Sequence, residues 1–283
     1  MRHPFLIPTI LACGVVLTAC AKETEEEKVE RTFQEVNVID ETNLNDVMLS
    51  AADPNEAVTY FHAAASKDPE RIDLQRGLAF SLTRAKRNTE ASAAWKRVTE
   101  MEGATMADRV EYADAQVRGG NWKGAKATLD AIPPTYETFK RYRLEAVVAD
   151  SNKDWKRADH FYETAVGLTT RPASVMNNWG YSKLTRGQYA DAERLFTEAV
   201  RQDNSLFTAK NNLVLARSAQ RNYSLPVIPM SQTERARLLN TMAISAVKQG
   251  DVATGKNLLR EAIATHPQHY DEAVRSLRAL EGT

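Results

Sequence analysis

Cysteine is nearly absent from this sequence. There are two, Cys13 and Cys20, both within the first twenty of 283 residues. A chain with so few thiols, grouped at one end, has no disulfide framework to stabilise it. Histidine is also scarce, at five. His266 and His269 flank a helix end in HPQH without an acidic or thiol partner at ligand spacing, and His62 and His160 fall in helical stretches. HExxH, GxSxG and a nucleophilic cysteine are all missing, so no metal site, cofactor or catalytic centre is expected, and the chain reads as a non-enzyme. No sign of charge dominates, with 37 basic and 37 acidic side chains. That balance gives no reason to expect nucleic acid or a polybasic membrane patch. Glycine (12) and proline (10) are few. Long alternating runs of Val, Ile and Thr do not occur. Plentiful Ala, Leu, Glu, Lys and Arg point instead to an all-α fold.

The one apolar run, Phe5 to Ala19, is 15 residues long and has Pro4 and Pro8 near its start. A spanning helix needs about 20 apolar residues. A secretory signal needs a basic start, a shorter apolar run and small residues at the cut, and Arg2, Thr18 and Ala19 supply these. An ordinary cleaved signal would leave the following cysteine incidental. Leu17-Thr18-Ala19-Cys20 resembles the lipobox of bacterial lipoproteins, which implies cleavage before Cys20 and acylation of Cys20. Cys13 would leave with residues 1–19, and the mature chain would carry 36 basic and 37 acidic residues. Several acyl chains make a durable anchor, because each buried CH₂ contributes about 0.8 kcal/mol. Ala21 in place of aspartate after the cysteine implies, by the same resemblance, sorting to the outer membrane, facing the periplasm. Residues 20–37, with Glu23, Glu25, Glu26, Glu27 and Glu30, bury almost nothing and read as an acidic tether.

The rest of the chain repeats. Counting Ala173 as position 1, Trp179 stands at 7, Gly180 at 8, Gly187 at 15, Tyr189 at 17, Ala192 at 20, Phe196 at 24 and Ala199 at 27. This resembles the tetratricopeptide repeat (TPR), in which two antiparallel helices cross closely at small residues while bulky ones fill the space between layers. The register recurs with starts at 38, 72, 106, 139, 173 and 207. It implies a solenoid of about six to seven helix-turn-helix repeats over 38–269, closed by a capping helix over 270–283. The unit at 207–235 is degenerate: Pro226 and Pro229 forbid its second helix, so Tyr223 to Ser231 is either an extended strap across the solenoid or a mere linker.

Gly250 to Asn257, GDVATGKN, misses a phosphate loop only at its last position, but Asn257 lacks the hydroxyl that would hold magnesium, and no strand precedes it. The first-helix positions that line a TPR groove are more informative. Position 5 is Asn177, Asn211 and Asn240 in the last three repeats, with Asn178 and Asn212 beside the first two and Tyr181 at position 9. Asparagine offers both donor and acceptor and suits the backbone of an extended peptide; a ladder of amides joining adjacent helices is the competing reading. Arg76 and Arg143 hold position 5 upstream and would add positive charge.

NNWGYSKLTRGQYADAERLFTEAV, then KNNLVLARSAQ, then a Tyr-x-Leu-Pro segment and a final GD-containing repeat resemble the TadD-type TPR lipoproteins of the tight-adherence (Flp) pilus system. The resemblance spans roughly residues 55–280. It implies a lipid-anchored outer-membrane scaffold that helps to assemble or localise the secretin through which the pilus passes. Lys183 at position 11 and Asn204 at position 32 depart from the usual repeat. Other scaffolds, adaptors for β-barrel assembly or for peptidoglycan hydrolases, share the same general plan.

Overall fold

A computed structural model of the protein describes residues 44–282; the signal segment, Cys20 and the acidic tether lie outside the described residues. A short helix, α1 (44–50), precedes α2 (Pro54–Lys67). Four helix pairs follow: α3 (Ile72–Arg84) with α4 (Asn88–Glu100), α5 (Met106–Arg118) with α6 (Trp122–Asp130), α7 (Phe139–Ser151) with α8 (Trp155–Gly167), and α9 (Ala173–Thr185) with α10 (Tyr189–Gln202). Helix α11 (Phe207–Ala219) is not followed by a second helix of its own repeat. It is followed by α12 (Gln232–Lys248), α13 (Val252–Thr265) and α14 (Asp271–Glu281). Each helix packs on its chain neighbour, and the described residues form no strand. The architecture is an all-α TPR solenoid.

The same repeat positions do the same work in successive units. Position 20 is Ala57, Ala91, Ala125, Ala158 and Ala192, and all five are buried. Position 24 is Phe61, Trp95, Leu129, Tyr162 and Phe196, also buried. A Cβ on Gly180 would lie 2.7 Å from Phe196 Cε1, so only glycine lets α9 come this close to the ring. From the repeat that starts at Ile72 onward, position 15 ends the first helix in a left-handed residue. Gly120, Gly187 and Gly250 hold φ values of 74° to 85°, whereas Lys86, Lys153 and Arg221 adopt about 60° with side chains. Caps start many of the helices. Thr105 and Asp108 form a capping box on α5, and Ser231 and Glu234 form another on α12.

After α11 the chain runs over the surface without helix. Tyr223, Leu225 and Met230 pack on the core of α12 and α13, which includes Leu238, Leu239, Met242 and Leu259. Ile228 packs on Phe196, Leu213, Val200 and Ala209. Arg217 ties the segment down from α11, donating to Ser224 Oγ (2.9 Å) while paired with Glu193 of α10 (3.0 Å). The segment therefore bridges α10, α11 and α12 as a strap, supplying with single side chains the apolar cover a second helix would give. Lys183, the departure at position 11, is explained by its partner: its ammonium sits 2.8 Å from Asp159 of α8.

Two substitutions test this account by chemical denaturation. Gly180→Ala is expected to destabilise by about 1–3 kcal/mol through overpacking against Phe196. Lys153→Gly is expected to stabilise by about 0.5 kcal/mol, because the relief of a left-handed conformation exceeds the added chain entropy.

Candidate functional site

The groove candidates Arg76, Arg143, Asn177, Asn178, Tyr181, Asn211, Asn212 and Asn240 all lie on first helices. Their environments differ sharply. Arg76 is committed: it meets Asp108 of α5 with two nitrogens (2.8 and 2.7 Å) and donates to the Gly103 carbonyl (3.0 Å). Burial works to raise the Asp108 pKa, but the Arg76 guanidinium and the Thr105 amide and hydroxyl outweigh it and hold the carboxyl below its ordinary value.

The asparagines also bond from one first helix to the next. Asn212 Nδ2 donates to Asn177 Oδ1 at 3.0 Å in a buried contact between α9 and α11, and Asn177 approaches Asn178 at 3.5 Å. Thr241 of α12 donates to Asn211 Oδ1 at 2.8 Å. Asn240 donates to Glu272 of α14 at 3.2 Å, and its Oδ1 is buried without a partner. The amide-ladder geometry thus accounts for one bond of each of these residues. Asn178 and Asn211 remain half-buried, with amide capacity to spare.

Arg143 differs from the other polar residues at position 5. It is half-buried, its Nε is shielded from solvent without a hydrogen-bond partner, and it has no ion pair among the described residues. Tyr181 is 54% exposed. It belongs to a row that the sequence reading took up at this one residue: position 9 is Phe80, Asp114, Val147, Tyr181, Leu215 and Ile244. Phe80 and Ile244 are exposed, and Val147 and Leu215 are half-exposed. The apolar character of position 9 recurs in the sequence at the repeat spacing and is legible there.

Behind this face, a polar cluster fixes α9 on the preceding repeat. Asp159 accepts from Trp179 Nε1 (2.7 Å), Lys183 Nζ (2.8 Å) and both terminal nitrogens of Arg186 (2.7 and 3.1 Å). Asp150 accepts from Ser182 (2.5 Å) and Tyr162 (2.9 Å). Burial alone would raise the Asp159 pKa, yet Arg186, Lys183 and Trp179 together lower it to about 2. Burial, reinforced by Asp150, pushes the Tyr162 phenol up.

No group of three or more His, Cys, Asp or Glu able to hold a metal ion occurs among the described residues, and no described helix is long and apolar enough to cross a membrane. GDVATGKN folds as a repeat turn followed by the first turns of α13. Asp251 caps that helix through Thr254 N, and Gly255 N donates to Asp251 O at 3.0 Å. An amide spent in this way is not free to cradle a phosphate. A Cβ on Gly255 would meet Val247 Cγ2 at 2.4 Å, so this glycine serves helix packing.

No family model matches the chain, and no curated protein matches it. Solved structures do. A chain of the APC/C hetero-tetramer Cut9–Hcn1 superposes with a TM-score of 0.58 at 12% identity, over 83% of this chain and 48% of that one, so the present chain spans about half of its length. The C-terminal part of a TPR repeat-containing protein from Cytophaga hutchinsonii gives 0.56 at 14% identity, covering 83% of this chain and 98% of its own. A TPR protein from Parabacteroides merdae gives 0.53 at 12% identity, covering 90% and 98%.

Two variants probe the polar cluster and the ladder. Because the folded Asp159 pKa lies below its usual 3.8, its contribution is present above about pH 4 and is lost as pH falls toward about 2. Asp159→Asn strands Lys183 and Arg186 and is expected to cost about 3 kcal/mol at neutral pH, and to remove that part of the acid transition in a circular-dichroism titration. Asn177→Ala leaves the buried Asn212 amide unpaired and is expected to cost about 1–2 kcal/mol in urea unfolding. At identities this low the comparisons establish the fold, and that fold is the TPR solenoid.

Proposed function

We propose that this chain is a protein-binding scaffold whose first-helix face holds an extended segment of a partner, and that the partner is the outer-membrane secretin of a tight-adherence (Flp) pilus. The observation that carries the binding role is the row Phe80, Val147, Tyr181, Leu215 and Ile244. These are apolar side chains exposed or half-exposed along the first-helix face, bordered by polar residues. Exposed apolar rows bordered by polar groups mark interaction surfaces. Asn178 and Asn211 beside the row can serve the peptide bonds of a bound strand.

The pilus assignment rests on the likeness of residues 55–280 to the TadD-type lipoproteins, and the membrane location on the lipobox ending at Cys20. In this reading Cys20 is acylated, the acidic tether spans from the outer membrane into the periplasm, and the solenoid presents its inner face to a secretin segment. Binding relies on shape, apolar contact and backbone hydrogen bonds, and no step of it requires a cofactor or a bond-making residue. The second reading, an adaptor for β-barrel assembly or for peptidoglycan hydrolases, rests on the same face.

The deciding experiment isolates what co-purifies with the tagged, lipidated protein from detergent-solubilised outer membranes. A secretin among the main partners supports the pilus role; barrel-assembly components or hydrolases in its place overturn it. Tyr181→Ala and Ile244→Ala are each expected to weaken capture about fivefold or more, as hot-spot truncation does, with the melting temperature unchanged because both side chains are exposed. Cys20→Ser is expected to move the protein from the membrane fraction to the soluble periplasm.

A further inference from the structure

We propose that the edge of the solenoid formed by the turns inside each repeat docks on an anionic lipid surface, with Trp122 and Trp155 entering the headgroup layer and Lys86, Lys123, Lys153 and Lys156 meeting its phosphates. This edge is separate from the first-helix face, and its role does not depend on the binding role given to that face.

Contacts between the turns establish that they form one edge. Asn88, which opens α4, donates to the Arg118 carbonyl at the end of α5 (3.0 Å). Ser182, near the end of α9, donates to Asp150, near the end of α7 (2.5 Å). The Arg186 guanidinium, in the turn after α9, lies over the Trp155 ring, 5.1 Å from its centroid. Position 17, the first residue of each second helix, therefore recurs along this edge as Asn88, Trp122, Trp155 and Tyr189.

The two tryptophans on the edge differ from the other two. Trp95 and Trp179 donate to Thr83 (3.2 Å) and Asp159 (2.7 Å). Trp122 and Trp155 are 38% and 36% exposed, and their ring N–H groups have no acceptor among the described residues. An indole with an apolar body and a free N–H suits the boundary between hydrocarbon and water, where tryptophan concentrates.

The lysines beside them are held at a cost. Gly120 and Gly187 adopt the left-handed turn freely, whereas Lys86 and Lys153 hold it with φ of 59°. A side chain kept in a disfavoured conformation points to a use outside folding. Lys86, Lys123, Lys153 and Lys156 are all exposed, and none has an ion pair among the described residues. The nearby carboxylates are engaged: Glu90 with Arg87, Asp114 with Arg118, Asp150 with Ser182 and Tyr162, while Asp154 caps α8. Exposed Asp191 lies past Tyr189. On the opposite edge, the turns between repeats expose Asp68, Glu70, Glu102 and Glu137, without ion pairs among the described residues, beside Lys67 and Arg171. The balanced composition thus conceals a segregation of charge between the two edges.

A lipid surface matches both features of the basic edge. Lysine attracts anionic headgroups and lays its apolar stem along the interface while its ammonium stays in water. Nucleic-acid sites favour arginine forks, and here all four free cations are lysines. The acidic edge of a second copy would satisfy the charges and leave the indoles without a role.

The test uses the full chain carrying Cys20→Ser, so that no acyl chain contributes, and flotation with phosphatidylcholine vesicles with or without phosphatidylglycerol. The protein is expected to bind the anionic vesicles about tenfold or more tightly than the neutral ones, and Lys86→Gly with Lys153→Gly to remove most of that preference. Both glycines suit the left-handed turns, and circular dichroism checks that the fold is kept. Brominated lipid is expected to quench part of the tryptophan emission, and Trp122→Phe with Trp155→Phe to abolish the quenching while Trp95 and Trp179 still emit. The segment before Cys20 contains no tryptophan and is common to all the proteins compared, so it produces none of these differences. No preference for anionic vesicles, an unchanged preference in the glycine variant, or no quenching overturns the proposal. Retardation of a DNA fragment or salt-sensitive oligomers in the absence of vesicle binding also overturns it, and assigns the edge to nucleic acid or to a second copy of the chain.

Discussion

Close crossing of paired helices at small side chains is the constraint on which this molecule depends. Gly180 and Ala192 bring α9 and α10 together, and Phe196 fills the space that remains. Alanine at position 20 repeats this arrangement from α2 to α10. A repeat built in this way cannot bury its apolar face alone, so each unit needs its neighbour, and the stack needs a cover at its end. Helix α14 provides it, packing Leu277 and Leu280 toward the last core. All the polar features of the first-helix face are displayed on this frame, at intervals the frame dictates.

The places where the repeat departs from its own pattern are linked to the joints between units. Lys183 replaces a packing residue, yet with Arg186 and Trp179 it encloses Asp159 and ties α9 to α8. Asparagine at position 5 joins the later first helices, whereas Arg76 joins the earlier ones by an ion pair. The loss of a second helix after α11 is made good by Ile228, Tyr223, Leu225 and Met230, which reach three helices from one extended segment. Buried polar contacts of this kind are satisfied only when the two units sit in one relation, so they fix the stacking that apolar contact alone leaves loose.

The same contacts bear on function. A side chain that bonds its neighbour is less available to a ligand, so the face is simpler than its composition suggests. Arg76 and the Asn177–Asn212 pair belong largely to the scaffold. Tyr181, Ile244 and Phe80 remain exposed along the face, and Arg143 is half-buried without an ion pair among the described residues. Binding scaffolds concentrate affinity in a small number of such anchors and use the rest for fit.

The sequence by itself determined the helical class, the repeat and its register. Helix starts at Ile72, Met106, Phe139, Ala173 and Phe207 follow from where the small and bulky residues recur, because close crossing restricts those positions to a few residue types. It also determined that Pro226 and Pro229 end the helical pattern, since neither can donate within a helix. The tertiary structure decided which polar side chains are free. Arg76 and Arg143 share a repeat position and a chemistry, and they differ only because Asp108 stands across from one and the acid-free α9 across from the other. That difference depends on a neighbour about thirty residues away, which local pattern and propensity do not encode.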